Sequence, residues 1–336
     1  MRAIAPGKVV LAGEYAVLHG AHAVAATVNR FARVVIETTD KPWIEVRAPG
    51  YCEESVRYRA TEDGLLQAAT SVPAKKNFSL FERAWRACAP LSLRGALITM
   101  DTSEFVDPVK RSKLGLGSSA ALCVALTAAF TFKNDKISIA QLAGRIHQDF
   151  QGGGSGVDIA CAVHGGVIDF CRDRGAPPKV ALPDGLHLAV LWSGKPASTA
   201  ASIKALSTSL QGAGRHATLH KLCAAADTLA GCWRSGNAAE LFAQHRQYGE
   251  ALSEFDADQK LGIYAGGHAE MAAAANNDGL FYKPCGAGGG DVGLAIALDA
   301  KKLQSFTELA PTLGFQPLEL GFGVEGVRCT REDHGG

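Results

Sequence analysis

Between Lys113 and Phe130 the chain reads Lys-Leu-Gly-Leu-Gly-Ser-Ser, followed by the apolar run Ala120–Phe130, which has no glycine, proline or charge. This stretch limits the possible folds more than any other. Glycine lets a backbone adopt positive φ and approach a ligand closely. The helix that the apolar run predicts offers unpaired N–H groups and the positive end of its dipole. Together they make a seat for an anion, most naturally a phosphate. Serine hydroxyls at such a start cap the helix or bind a metal carried by the phosphate. On these residues alone, a capped helix after a glycine turn stands level with phosphate binding. The Gly-Lys-Ser/Thr ending of a Walker A loop is missing. Gly115, Gly117 and Ala120 match G-x-G-x-x-A. A dinucleotide site, however, needs a strand running straight into the first glycine. Here the expected strand, Gly95–Asp101, ends early, and Pro108 with the cations Lys110, Arg111 and Lys113 intervenes.

A length of 336 residues accommodates two domains. A formal charge of +1, with 47% hydrophobic and 20% charged residues, gives no global field for nucleic acid or membrane. The nine cysteines form no C-x-x-C pair and predict free thiols in a reducing compartment. The N-terminus lacks the apolar core of a signal peptide, and the longest apolar run, about 11 residues, is too short to span a bilayer. The expectation is a cytoplasmic protein, monomer or homodimer, with small-molecule partners and neither nucleic acid nor membrane.

Residue patterning predicts an α+β chain, with strands grouped and helices grouped. Strands are expected at Lys8–Ala12, Phe31–Thr38, Trp43–Arg47 and Gly95–Asp101. Helices are expected around Phe78–Cys88, after Gly117, at Ile139–Phe150 with Ser138 as N-cap, and at Val157–Val163. A strand Gly166–Phe170 precedes the Pro- and Gly-rich text Arg172–Asp184, the expected domain junction. It divides the chain into 1–176 and 177–336. The second part opens with a strand Leu186–Trp192 and is helical from about Ala197 to Asn276. Strands Leu280–Tyr282 and Asp291–Leu298 frame a glycine run, and a helix Ala300–Leu313 with segments Phe315–Leu320 and Val324–Cys329 follows.

Three further features could carry chemistry. Lys8 follows a Pro-Gly turn at the start of an apolar strand, where lysine seldom enters without a partner; a snorkelling strand-end lysine is the plain alternative. Asp158, two residues beyond the glycines 152–156, could pair with Lys8 or simply stabilise a helix dipole. The run Cys285-Gly-Ala-Gly-Gly-Gly-Asp291 lets a chain lie against a ligand with its N–H groups as a nest.

In this order, A-P-G-K-x-x-x-x-G-E (5–14), G-L-G-S-S-A-A (115–121) and G-A-G-G-G-D (286–291) resemble the three motifs of the GHMP small-molecule kinases. Ala12-Gly-Glu-Tyr-Ala-Val17, the Gly-Gly-Gly-Asp ending and Leu191-Trp-Ser-Gly-Lys-Pro-Ala-Ser-Thr199 are similar to the phosphomevalonate kinase branch. The resemblance spans residues 3–298. It implies the two-domain GHMP-kinase fold, a mixed N-terminal domain and a helix-rich α+β C-terminal domain with the active site between them. ATP and Mg²⁺ are the implied cofactors, and 5-phosphomevalonate or mevalonate the implied acceptor. Gly115, Leu116, Gly117, Ser118, Ser119, Ala120 and Ala121 would hold the ATP phosphates, Ser119 would bind Mg²⁺, and Lys8 and Asp158 would be catalytic. Glu14, Tyr15, Lys113, Ser155, Lys195, Ser198, Thr199, Gly288, Gly289, Gly290 and Asp291 would face the acceptor. Mevalonate kinases carry a second Mg²⁺ ligand, a Glu, about three helical turns before the catalytic Asp. Here that region reads Arg145-Ile-His-Gln-Asp149, and Asp149 is the expected substitute.

Overall fold

A computed structural model describes residues 1–61, 65–69, 78–90, 93–132, 135–172, 174–197, 199–209 and 216–331. The elements of the first half are β1 (Arg2–Ala12), β2 (Ala23–Thr38), β3 (Ile44–Ala48), β4 (Cys52–Ala60), β5 (Leu66–Ala68), α1 (Ser79–Cys88), β6 (Ala96–Asp101), α2 (Ser118–Thr131), α3 (Lys136–Gln151), α4 (Val157–His164) and β7 (Val167–Phe170). The second half adds β8 (Lys179–Val180), β9 (His187–Trp192), α5 (Thr199–Ser209), α6 (His216–Ser235), α7 (Ala238–Gln259), α8 (His268–Asn277), β10 (Phe281–Pro284), β11 (Val292–Ala297), α9 (Ala300–Leu309), β12 (Gln316–Leu318) and β13 (Arg328–Thr330).

A nine-stranded sheet runs β13-β1-β2-β6-β3-β4-β5, with β7 and β8 attached beside β2. The 16-residue β2 does this by splitting its free edge: Ala23–Ala26 pairs β7 and Arg33–Thr38 pairs β6. Helices α1–α4 cover the sheet, with α2 at the centre of the layer, packed against α1, α3, α4, β1 and β2. A helix buried on nearly every side must be apolar all round, and α2 is: ten of its residues, from Ala120 to Phe130, are buried. The second sheet, β10-β11-β9-β12, belongs to the later half, yet β13 returns to pair β1 in the first. One core runs through both halves, taking Val9, Leu11 and Leu116 together with Trp192, Leu222 and Phe255.

Several expectations shift. Asp135, not Ser138, caps α3, its carboxylate accepting from the N–H groups of Ile137 and Ser138, because the helix begins one turn earlier. The sequence pattern does not predict strands β4 and β5: β4 buries only Cys52, Val56 and Tyr58 and exposes Glu53, Glu54, Arg57 and Arg59, so it lacks an apolar signature. The helical stretch of the second half is broken at Gly236–Asn237, where Asn237 caps α7, and again between Lys260 and Gly267. All nine cysteines are free. Among the described residues, no helix is long and apolar enough to cross a membrane.

Candidate active site

Strand β1 is irregular where the site begins. Its register on β2 shifts between Pro6 and Gly7. Gly7 lies so close to the glycine loop that a Cβ there would sit 2.7 Å from the Leu116 carbonyl oxygen. The Lys8 N–H donates to that same carbonyl at 2.9 Å. Lys8 is thereby aimed at Gly117 (φ +80), where a Cβ would be 3.4 Å from Lys8 Cε and 3.9 Å from Asp158 Oδ2. Asp158 reaches the same point from the first turn of α4, which starts after Gly156 (φ +87). Lys8 Nζ and Asp158 Oδ1 are 3.3 Å apart, with side chains 11% and 31% exposed. Burial works against the ammonium, but the charge and hydrogen bond of Asp158 outweigh it and hold the Lys8 pKa above its ordinary value. Lys8 is therefore a paired cation, not a snorkelling one.

The start of α2 is where the sequence predicts an anion seat. Its first N–H groups have no acceptor inside the helix, but Ala121 N–H already donates to Gly117 O at 3.1 Å. Ala121, Ala120 and Leu116 bury their side chains in the core. Ala121 therefore has neither a free N–H nor an exposed side chain for phosphate, and Leu116 gives its carbonyl to Lys8. Gly115, Gly117, Ser118, Ser119 and the Ala120 N–H remain for that role. Ser119 Oγ lies 3.1 Å from His147 Nε2. Burial pushes the pKa of His147 down, against the pull of Asp158.

Asp149 does not join them. It is paired with Arg83 on the outer side of α3, its side chain 67% exposed. Gly144, His147, Gln148 and Gln151 face the site from α3, at i, i+3, i+4 and i+7. Two residues past His147 the helix has turned about 200°, which carries Asp149 away. Among the described residues no group of three or more His, Cys, Asp or Glu is placed to hold a metal.

Beside Lys8 and Asp158 opens a cleft of about 500 Å³, lined from β1 and its following turn, α3, the loop Gly153–Gly156, Arg172, and, from the second half, Ser202, Gly286 and Ala287. Tyr15 and Ser155 line it. Tyr15 holds φ +60, a strained value for a bulky residue. Its hydroxyl donates to Ala287 O at 2.5 Å, and burial pushes the phenol up to about 12. Ser155 Oγ accepts from Val157 N–H at 3.3 Å. Glu14 borders the cleft, but its carboxylate is committed elsewhere: one oxygen pairs with Lys283 and the other accepts from Tyr248 Oη at 2.8 Å. Lys283, fully buried, also donates to Val10 O at 3.2 Å. Glu14 therefore ties the turn after β1 to Lys283 of β10 and Tyr248 of α7, which occupy both of its carboxylate oxygens. Lys283 and Tyr248, 269 and 234 residues from Glu14, left no local signal of this in the sequence.

The second glycine loop is used differently from the first. A Cβ on Gly288 would lie 2.5 Å from Ile263 O, and one on Gly290 2.8 Å from Lys195 O. Gly289 N–H donates to Ile263 O at 2.8 Å. These glycines pack against protein backbone and leave only Gly286 and Ala287 facing the cleft. Asp291 meets the first glycine loop instead, since a Cβ on Gly115 would be 2.3 Å from Asp291 Cβ. Its Oδ1 accepts from Ala197 N–H at 3.1 Å, and burial raises its pKa against the pull of that bond, Lys8 and Lys113. Lys113 is exposed, and Lys195 is exposed with its ammonium donating to Gly266 O at 3.3 Å; neither lines the cleft. Lys110 lies over the Trp192 ring at 5.0 Å. Ser198 and the side chain of Thr199 lie outside the described residues.

Residues 79–166 match the GHMP kinases N terminal domain model. A phosphomevalonate kinase of Streptomyces sp. (strain CL190) is 29% identical over 96% of this chain and 97% of its own length. A mevalonate kinase of Archaeoglobus fulgidus is 32% identical, over 54% of this chain and 56% of its own. Among solved structures, a Lin0012 protein from Listeria innocua superposes with a TM-score of 0.83 at 22% identity, covering 99% of this chain and all of that one. Streptococcus pneumoniae phosphomevalonate kinase, solved with phosphomevalonate and AMPPNP, superposes at 0.76 with 18% identity, covering 96% and 99%. The structural likenesses establish the fold. Over residues 79–166 the chain carries the match to the GHMP kinases N terminal domain, and along nearly its whole length it is similar in sequence to a phosphomevalonate kinase and in fold to GHMP-type kinases.

Proposed function

We propose that this protein transfers the γ-phosphoryl group of ATP to the phosphate of 5-phosphomevalonate, giving the diphosphate. The observation that carries the reading is the Lys8–Asp158 pair set against Gly117 at the start of α2. Phosphoryl transfer passes through a loose transition state and needs positioning and charge neutralisation more than covalent help. A helix start would bind the transferring phosphates, and Lys8, charged across the neutral range, would neutralise the group in flight. Asp158 would fix Lys8 and, for a hydroxyl acceptor, take its proton. A phosphate acceptor carries about −1.5 to −2 charge near neutral pH and has little need of a base.

The donors fit Mg²⁺, which keeps several waters and is bound through one or two protein groups with substrate phosphates. Ser119 Oγ at the start of α2 and the Asp158 carboxylate beside Gly117 would hold it. Bound there it supplies neutralisation of the phosphate oxygens. Alignment of the Streptomyces relative along nearly the whole chain, against about half for the Archaeoglobus mevalonate kinase, supports the phosphorylated acceptor. ADP release from ATP and Mg²⁺ with mevalonate, with 5-phosphomevalonate and with neither tests this. Turnover with 5-phosphomevalonate alone is expected. Preference for mevalonate would replace the acceptor, and silence with both would remove the reading.

A further inference from the structure

Behind the second glycine loop lies a buried histidine that the transfer chemistry above does not use. His268 opens α8 and is fully buried, its ring edge-on to Phe315 with centroids 5.2 Å apart. Its Nε2 lies 2.9 Å from Gly290 O and its Nδ1 2.7 Å from Tyr282 Oη. A carbonyl only accepts, so Nε2 carries the proton, and Nδ1 of the neutral ring accepts from the Tyr282 hydroxyl. Burial pushes the imidazole pKa down, helped by the charge of Lys195 and opposed by the Gly290 bond. Burial likewise pushes the Tyr282 phenol up, so the hydroxyl keeps the proton it donates. Room for that hydroxyl comes from Gly293, where a Cβ would sit 2.0 Å from Tyr282 Oη.

The loop that this pair touches is strained. φ is +67 at Gly286, +69 at Gly288, +72 at Gly289 and +52 at Asp291, the last a left-handed value on a residue with a side chain. Such a conformation persists only where its surroundings over-determine it. Asp291 N–H donates to Lys195 O at 2.7 Å. Gly266, two residues before His268, packs on the same loop: a Cβ there would lie 2.7 Å from Gly289 O. Tyr15 takes another carbonyl of the loop, Ala287 O, from the cleft.

We propose that His268 is a positioning residue: clamped between Tyr282 Oη and Gly290 O, its neutral imidazole locks the second glycine loop in this strained form. That form sets Gly286 and Ala287 in the cleft and Asp291 against Gly115. A misplacement of about 1 Å arising far from the reacting atoms can cost about 100-fold in rate, so a fixed loop matters to transfer. The effect on transfer rests on the kinase reading, whereas the effect on the loop does not.

The test compares His268→Gln with His268→Asn in the intact protein. Both remove the ring and its packing on Phe315. The Gln amide reaches the place of Nε2 and can keep the bond to Gly290 O, whereas the Asn amide reaches only that of Nδ1 and keeps Tyr282. Two quantities are read: amide hydrogen exchange of a peptide spanning Cys285–Val292 without substrates, and turnover of 5-phosphomevalonate with ATP. His268→Asn should exchange faster in that peptide and lose about tenfold in kcat, the order of one buried hydrogen bond. His268→Gln should stay near wild type in both, although the two unfolding midpoints fall alike. Equal behaviour of the two variants would reduce His268 to a space-filling ring and overturn the proposal, as would faster loop exchange in His268→Asn with kcat unchanged. Should His268→Asn not fold, nitrogen NMR of the wild-type imidazole decides: the neutral Nε2–H tautomer upholds the clamp and an Nδ1–H tautomer overturns it. Faster loop exchange in His268→Asn alone, in a protein whose wild type turns over neither acceptor, would leave the loop clamp standing and remove the kinase reading.

Discussion

Two lysine–carboxylate pairs lie close together in this molecule and serve different ends. Lys283 and Glu14 are sealed, both side chains 0% exposed, with Tyr248 on the second carboxylate oxygen and two backbone carbonyls on the ammonium. Lys8 and Asp158 meet at 3.3 Å with the carboxylate 31% open to the cleft. The first pair has no capacity left for a ligand. The second has, because Gly117 keeps space free beside it and Asp158 carries oxygens that no protein donor exhausts. A buried pair whose hydrogen-bonding capacity is filled holds elements together, while a pair left partly unfilled in a cleft is where chemistry can be done.

The largest expected effect is on the sealed pair. Glu14→Gln leaves the Lys283 ammonium buried without its counter-charge, and removing one partner of such a pair costs about 3–5 kcal/mol. Urea unfolding should show that loss, and replacing both partners by apolar residues of matching volume should recover most of it. A Glu14→Gln protein of unchanged stability and raised acceptor KM would restore Glu14 to the acceptor site and break the comparison.

Next is the open pair. Asp158→Asn should lower kcat by about 100-fold, the lower end of the range for a positioned acid or base, since a phosphate acceptor has little proton to give. Its unfolding midpoint should move little, because Asp158 is partly solvated. A stability loss as large as that of Glu14→Gln, with turnover retained, would make both pairs structural. The pH dependence sharpens this. The folded-state pKa of Lys8 lies above its ordinary value, so the contribution of the Lys8 charge is not reduced by its own titration below about 10.5 and is lost as pH rises through the higher folded value. Turnover should therefore show no Lys8 limb between about pH 7 and 9. A limb in that window that moves up in Lys8→Arg would show that Lys8 is not held charged as described.

Much of this was legible in the sequence. The glycine loop, the buried helix behind it and the residues Lys8 and Asp158 that pair beside it each announce themselves by residue type and near neighbours: glycines before an apolar run, a lysine after Pro-Gly, an aspartate at a helix start. Glu14 was misread for the opposite reason. Its position in the first motif is local, but its partners Lys283 and Tyr248 come from the far half of the chain, and pairing across more than 230 residues leaves no periodic trace. The glycines of the two loops look alike as text. Gly288 and Gly290 are required because Ile263 and Lys195 backbone lies under 3 Å from where a Cβ would be, whereas Gly153 is required by its dihedral alone. Only the packing partner separates the two cases. His268 went unnoticed because it sits in a stretch that reads as helix, and nothing in its neighbours points on to Gly290.

A third ion pair supplies the smallest effect and the control. Arg83 and Asp149 meet on the surface of α3, with side chains 38% and 67% exposed. Exposed pairs of this kind contribute about 0–1 kcal/mol, because solvent screens the attraction and two long side chains must be ordered to make it. Asp149→Ala should therefore leave kcat, both KM values and the Mg²⁺ concentration for half-maximal rate within about twofold, and shift stability by under about 1 kcal/mol. The Mg²⁺ titration decides the matter. If the helix face is as described, Asp149 points away from Ser119 and the ion's requirement is unchanged. A several-fold rise in the Mg²⁺ needed, with ATP binding intact, would mean that α3 turns in solution to bring Asp149 to the cleft, and the division between sealed, open and surface pairs would have to be redrawn around a metal ligand.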